Sequence, residues 1–243
     1  MTISTNTFSE TWYSVFADSI PASQTEAEIA FLTRHLPQPA YRRILDVCCG
    51  HGRHAVPLAR AGYDVLAIDS NPTAIAHAQA HASTTAAFQV LDMRRMDELG
   101  GTFDAAINLW QSFGYFDDDV NLRVLRSLAN KLRPGGRFVI ELYNGEAART
   151  LPSYEEGMRG DTLVRTRREW RASRLRVELS YGDQPPTDVS EWRIYTVDEW
   201  RCLAAAVGLD VIVQCAWFDE DTAPAADHLR MQFVLEKSRL PNA

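Results

Sequence analysis

The chain has 243 residues, 46% of them apolar, which suits one large α/β domain or a domain carrying an insertion. Its formal net charge of −7, from 32 acidic and 25 basic side chains, makes it a poor general ligand for nucleic acid phosphates and favours a small-molecule substrate. The first residues lack the basic and apolar regions of a signal peptide, and no apolar run approaches membrane-spanning length. The expectation is a cytoplasmic protein with no nucleic acid and no membrane as partner.

Taken in order, residues 1 to 20 are polar with aromatic beads, and Phe8, Trp12 and Phe16 repeat on one helical face. This segment is either a helix packed on the domain or a lid whose aromatics close a site. Ala27, Ala30, Phe31 and Leu36 mark a second helix over 22 to 36, ended by Pro37 and Pro39. From Arg43 onward strands and helices alternate. Ile44 to Cys48, Val65 to Asp69, Ala87 to Val90, Phe103 to Leu109 and Arg137 to Tyr143 read as strands. Helices follow the first, second and fourth of them, the last running from Asp118 to Leu132. This pattern predicts a doubly wound, mostly parallel sheet, with ligands outside the carboxyl ends of its strands.

After Asn144 the pattern changes. Leu175, Val177 and Leu179 alternate with Arg174, Arg176 and Glu178, and Thr162 to Trp170 and Val189 to Tyr195 also look extended. An inserted antiparallel segment with one wet face is expected. Its arginines, 165, 167, 168, 171, 174 and 176, either bind an anion or form a solvated face, and the interspersed Glu169 and Glu178 favour the latter. Thr196 with Glu199 reads as a capping box. Val211 to Val213 and Met231 to Leu235 close the sheet at seven strands. The segments are therefore 1–40, a helical lid; 41–145, the core; 146–196, the antiparallel insertion; and 197–243, completion of the core.

The densest signal is the run Ile44 to His54, a strand, a small-residue turn and a helix start. Gly50 and Gly52 permit a sharp turn with a ligand against the backbone, and the helix behind offers free N–H groups. Gly50-His51-Gly52-Arg53-His54-Ala55 fits the dinucleotide pattern G-x-G-x-x-G/A, so an NAD(P)-dependent oxidoreductase is one reading. Cys48, Cys49, Cys202 and Cys215 form no C-x-x-C pair. They read as buried reduced thiols, and no metal site is expected.

The wider run Leu45-Asp46-Val47-Cys48-Cys49-Gly50-His51-Gly52 resembles the first motif of class I S-adenosylmethionine (SAM) methyltransferases, usually Leu-Asp-x-Gly-x-Gly-x-Gly. Cys48 stands where the first glycine normally is, and a residue with a Cβ does not easily take φ > 0 there. Asn108 to Phe116 resembles the Asn-x-Phe-x-Ser-Phe-Gly-Tyr-Phe segment of small-molecule members, with Trp110 replacing one aromatic.

The resemblance implies SAM as cofactor and methyl transfer to an N or O atom of a small molecule, in specialised metabolism. It implies that Cys48, Gly50 and Gly52 shape the loop and that Asp46 orients it and the methionine ammonium. Asp69, with Ser70, would hold the ribose. Asp92 and the Met93 backbone would hold adenine, although Asp92 also reads as a helix cap. Asn108 and Leu109 would lie along the methionine part. Phe113, Tyr115, Phe116 and Tyr195 would wall the methyl donor and its acceptor, since aromatic faces attract a sulfonium. Trp12 and Tyr13 would cover the crevice, Tyr13 reaching the methionine end. If a base is used, His228, Glu191 and Tyr195 are candidates. A SAM-binding protein without turnover is a further alternative, and a homo-oligomer is left open.

Overall fold

A computed structural model of the chain describes residues 5–17, 19–82 and 85–239. Five strands, β1 (Arg43–Val47), β2 (Asp64–Asp69), β3 (Ala87–Val90), β4 (Phe103–Asn108) and β5 (Leu132–Tyr143), pair in parallel. The late strands β10 (Leu209–Cys215) and β11 (Arg230–Lys237) complete a seven-stranded sheet of order β10-β11-β5-β4-β1-β2-β3, with β11 antiparallel to both β5 and β10. The central strands read as continuous apolar runs because both faces are covered. Ile44, Leu45, Ala105, Ala106, Ile107, Phe138, Val139 and Ile140 are all almost fully buried. Trp200, Phe103 and Phe138 belong to the core on one face, and Phe31, Leu32 and Leu58 to the core on the other.

The helices start where local chemistry supplies caps. Asn71 accepts from the backbone N–H groups of Thr73 and Ala74 ahead of α4 (Pro72–His81), whose first residue is a proline that has no N–H to orphan. Asp117 caps α5 (Asp118–Lys131). The expected capping box is present: Thr196 and Glu199 exchange hydrogen bonds at the start of α7 (Val197–Ala205). The strand order reverses between β1 and β4, so the crevice of a doubly wound sheet opens at the ends of those strands.

Between β5 and α7 the chain builds a second sheet of four antiparallel strands, β6 (Tyr154–Arg159), β7 (Thr162–Arg171), β8 (Arg174–Tyr181) and β9 (Asp188–Arg193). Its arginines mostly pair with acids on the same sheet, as Arg171 does with Glu169, Arg174 with Glu191 and Arg176 with Glu178. The end of β9 docks on the core, where the Arg193 N–H donates to the Gly114 carbonyl at 2.8 Å. A Cβ at Gly114, which sits at φ +101°, would lie 2.5 Å from the Arg193 carbonyl oxygen, so only glycine fits this junction.

The N-terminal segment departs from the expected single helix. It forms a three-residue helix α1 (Glu10–Trp12) and a π turn over Tyr13–Ala17. Nor does it stand apart from the sheets. Thr5 bridges Val189 at the open edge of β9, and Asn6 exchanges two hydrogen bonds with the Glu191 backbone. Trp12 and Phe16 still share a face, but it packs on Val164, Leu179 and Tyr181 of the second sheet. Residues 1–4 and 240–243 of the first and last expected segments lie outside the described residues. Among the described residues no helix is long and apolar enough to cross a membrane.

Candidate active site

A cavity of about 1380 Å³ lies between the carboxyl ends of β1, β2 and β4, the second sheet and the N-terminal segment. Its floor is the glycine loop. Gly50 and Gly52 take φ +53° and +81°, and Cys48 takes φ +61°. That corrects the expectation for Cys48: the loop keeps the left-handed turn despite the Cβ, so the position is strained rather than reshaped. Gly52 is required by packing, since a Cβ there would meet Phe88 at 2.8 Å. Gly50 faces the Tyr13 ring, 3.8 Å from where its Cβ would be.

Asp69, at the end of β2, braces this loop. Its Oδ2 accepts from the Gly50 N–H at 2.9 Å and its Oδ1 from the Asn71 N–H at 2.8 Å. Burial pushes its pKa up, and the backbone donors partly offset this. The carboxylate lines the cavity and keeps lone pairs for a ligand's hydroxyls. Asp46 lies beneath the loop and is 3% exposed, with Oδ2 unpartnered. Burial, and then the charge of Asp69, raise its pKa to about 7. Tyr13 stacks on His51, with ring centroids 4.0 Å apart, and His51 stacks in turn on His77 at 4.0 Å. Burial and then the Asp69 carboxylate push the Tyr13 phenol up.

On the opposite wall β4 ends in a strained turn. Trp110 and Gln111 both adopt left-handed φ, +63° and +56°. A buried polar network fixes it. The Trp110 N–H donates to Glu141 Oε2 at 3.0 Å, and Glu141 Oε1 accepts from Gln232 at 3.0 Å. Glu28, from α2 (Ala22–His35), is 1% exposed and pairs with Arg53 at 2.5 Å and His54 at 2.7 Å. Burial raises the Glu28 pKa, but His54 and Arg53 outweigh it and bring the carboxyl down to about 2. Burial lowers the His54 pKa, and its hydrogen bond to Glu28 partly offsets this. The guanidiniums of Arg53 and Arg230 both lie over the Trp110 ring, at 4.8 and 4.9 Å. Arg53 Nη2 is buried without a partner.

The cavity brings together many of the residues singled out from the sequence: Trp12, Tyr13, Cys48, Gly50, Asp69, Ser70, Asp92, Met93, Leu109, Tyr115, Phe116 and Glu191 all line it. Others lie elsewhere. Phe113 and Tyr195 are 5% exposed and pack around Trp200 in the core, so they support the wall from beneath. Asn108 is buried and donates to the Val47 carbonyl at 2.9 Å, tying β4 to β1. Asp92 caps the 3₁₀ turn Met93–Glu98 and is gripped by the Arg94 guanidinium at 2.5 Å, so a ligand amine would share it with that arginine. His228 does not line the cavity. It sits in the loop before β11, 3.2 Å from the Ala223 carbonyl, with its ring against Trp217. Cys202 is exposed rather than buried, and all four thiols are free.

The sequence reading missed Glu28, Arg53, Trp192, Tyr143 and Arg230. One signal was available: Glu28 shares a helical face with Phe31, Leu32 and His35, a charge in a core position.

Residues 44–136 match the family model of a methyltransferase domain. The putative methyltransferase YqeM of Bacillus subtilis is 26% identical over 218 residues, covering 83% of this chain and 86% of that protein. Glycine N-methyltransferase of Oryctolagus cuniculus is 29% identical over 140 residues, 50% of this chain, which spans only 48% of that relative. A SAM-dependent methyltransferase from Clostridium acetobutylicum has the same fold, with a TM-score of 0.79 at 12% identity over 94% of this chain and 96% of that one. The matched methyltransferase domain and these likenesses support a class I SAM-dependent methyltransferase over the oxidoreductase reading. Its cofactor is SAM, and the site fits one: a glycine cradle, the Asp69 carboxylate and two unpartnered buried atoms, Asp46 Oδ2 and Arg53 Nη2.

Proposed function

We propose that the chain methylates an N or O atom of a small molecule held between the glycine loop and the second sheet. The observation that carries this reading is an aromatic wall, Tyr115–Trp192–Tyr143, whose neighbouring rings are 6.0 Å apart and which reaches from the loop after β4 into that sheet. A pocket wall of this kind suits a compact organic acceptor, and the one substrate named among the relatives above, glycine, is a small amine-bearing molecule.

When bound, SAM supplies an electrophilic methyl group on a sulfonium. The chain's own residues bind and orient around it. Asp69 would take the ribose hydroxyls, Asp46 would steady the loop and the ammonium, and Arg53 Nη2 would donate to the carboxylate. Tyr13 and Trp12 cover the loop and exclude water, and the aromatic rings offer their faces to positive charge. Catalysis then rests on alignment rather than on a strong base. Of the candidate bases, Glu191 lines the cavity and His228 does not. The segments 1–40, 41–145, 146–196 and 197–243 act as cover, cofactor core, acceptor wall and sheet closure.

The test is an acceptor screen with methyl-labelled SAM, alongside calorimetry with S-adenosylhomocysteine. Label transferred to small amines or alcohols in a cavity-dependent way supports the reading. Tight cofactor binding with label found only in protein or nucleic acid would overturn it.

A further inference from the structure

Two guanidiniums and one phenol, those of Arg230, Arg168 and Tyr143, line the same cavity as Asp69. Arg230 of β11 lies directly across from Tyr143 of β5 in the sheet register, so the two side chains stand on one face. Arg168 of β7 comes from the other sheet, and all three residues line the cavity. Arg168 lies across from Val177 in its sheet, and Val177 packs in the same apolar cluster as Tyr143 and Trp192. Burial raises the Tyr143 pKa and Glu141 adds to this, while the charges of Arg230 and Arg168 pull it back.

Each cation has incomplete local compensation. Arg168 donates to Glu155 at 2.6 Å and to the Pro152 carbonyl at 3.1 Å, which leaves Nε and further N–H bonds. Arg230 is 3.8 Å from Glu141 Oε1, beyond hydrogen-bond reach, and Glu141 is already engaged by Gln232 and the Trp110 N–H. Burial also raises the Glu141 pKa, which weakens it as a counter-charge. Two positive forks inside a pocket of a protein with net charge −7 are costly unless an anion completes them. Glu155 and Glu141 offset part of the charge, so a monoanion matches and a dianionic phosphate does not. Trp192 and Tyr115 continue the wall from Tyr143 towards the loop, a surface for a flat carbon skeleton.

We infer that the acceptor bears a carboxylate, clamped by Arg230 and Arg168 beside the Tyr143 hydroxyl, with its apolar body laid along Trp192 and Tyr115 towards the glycine loop. This rests on the methyltransferase reading of the same cavity. The clamp fixes the far end of the acceptor and so sets how far from the carboxylate the methylated atom lies.

The test uses the full chain loaded with S-adenosylhomocysteine and two probes of one shape, benzoate and benzamide, in a calorimeter. The expected result is a Kd for benzoate at least tenfold lower than for benzamide. In Arg230→Gln and Arg168→Gln that preference should fall towards unity while the S-adenosylhomocysteine Kd stays within twofold. Equal Kd values for the two probes in the unaltered chain, or no saturable benzoate binding, overturn the inference without any variant. A preference that survives both glutamine variants overturns it as well. A chain that prefers benzoate yet fails to bind S-adenosylhomocysteine would keep the carboxylate site and sink the methyltransferase reading instead.

Discussion

Ser9 is tied to Asp188 twice: its backbone N–H and its hydroxyl each donate to one carboxylate oxygen at 2.7 Å. Tyr181 donates to the same carboxylate at 2.7 Å, and Asp188 is 1% exposed. One buried acid of the second sheet thus anchors the segment that carries Tyr13 over the glycine loop. Asp188→Ala leaves buried donors unmatched, at a cost of about 2 kcal/mol or more. The segment should detach, so cleavage between Ser9 and Ser19 should speed up and SAM affinity should fall. A variant that resists protease like the parent and binds SAM equally would show that the other contacts of the segment suffice.

Asp69→Ala should weaken SAM binding by about 2 kcal/mol or more, through lost ribose acceptors. It also frees the Gly50 and Asn71 N–H groups, so the loop itself should loosen. Asp69→Asn keeps one acceptor oxygen and should lose less. Calorimetry with both variants separates the roles, and equal affinities for the parent and Asp69→Ala would remove Asp69 from the cofactor site.

Asp46 makes stability depend on pH in a definite direction. Its pKa is raised to about 7 in the folded chain from 3.8, so the folded state holds the proton more tightly than the unfolded one. The stability it contributes is therefore full in acid and declines as pH rises through this window. Asp46→Asn removes the titration while its amide oxygen can still accept. Its melting temperature, relative to the parent without cofactor, should climb from pH 4 to pH 7 and level off above. A difference that stays flat across the series would contradict the raised pKa.

Gly114→Ala places a methyl group against the Arg193 carbonyl and forces a left-handed φ on alanine. The cost should be on the order of 2–3 kcal/mol. Because the clash lies where β9 docks, the acceptor sheet should shift while the cofactor loop keeps its shape. Turnover should drop by more than tenfold with SAM affinity little changed. Normal turnover would mean that the junction yields without moving the wall.

His228→Ala should leave both SAM affinity and turnover within about twofold, because the ring packs on Trp217 outside the cavity. A large loss of turnover with intact folding would return the histidine to the mechanism and require that its loop move.

The sequence by itself determined the sheet, the glycine loop and the acids at the strand ends. Those features are local. Apolar runs mark strands buried on both faces, glycines mark tight turns, and Asp69 follows its strand directly. Each is written in a few adjacent residues. The tertiary structure decided what converges from a distance. Glu28, Arg53, Glu141 and Arg230 come from separate elements and meet around Trp110. Arg168 resembles the other arginines of β7, yet it is the one of them that lines the cavity with Tyr143. Phe113 and Tyr115 are two positions apart in one motif, yet one is core and the other is wall. Side-chain type records what a residue can bind. The path of the backbone, with its strained turns at Cys48, Trp110 and Gln111, sets what it reaches. That path is fixed by packing between segments far apart in the chain, which no local pattern encodes.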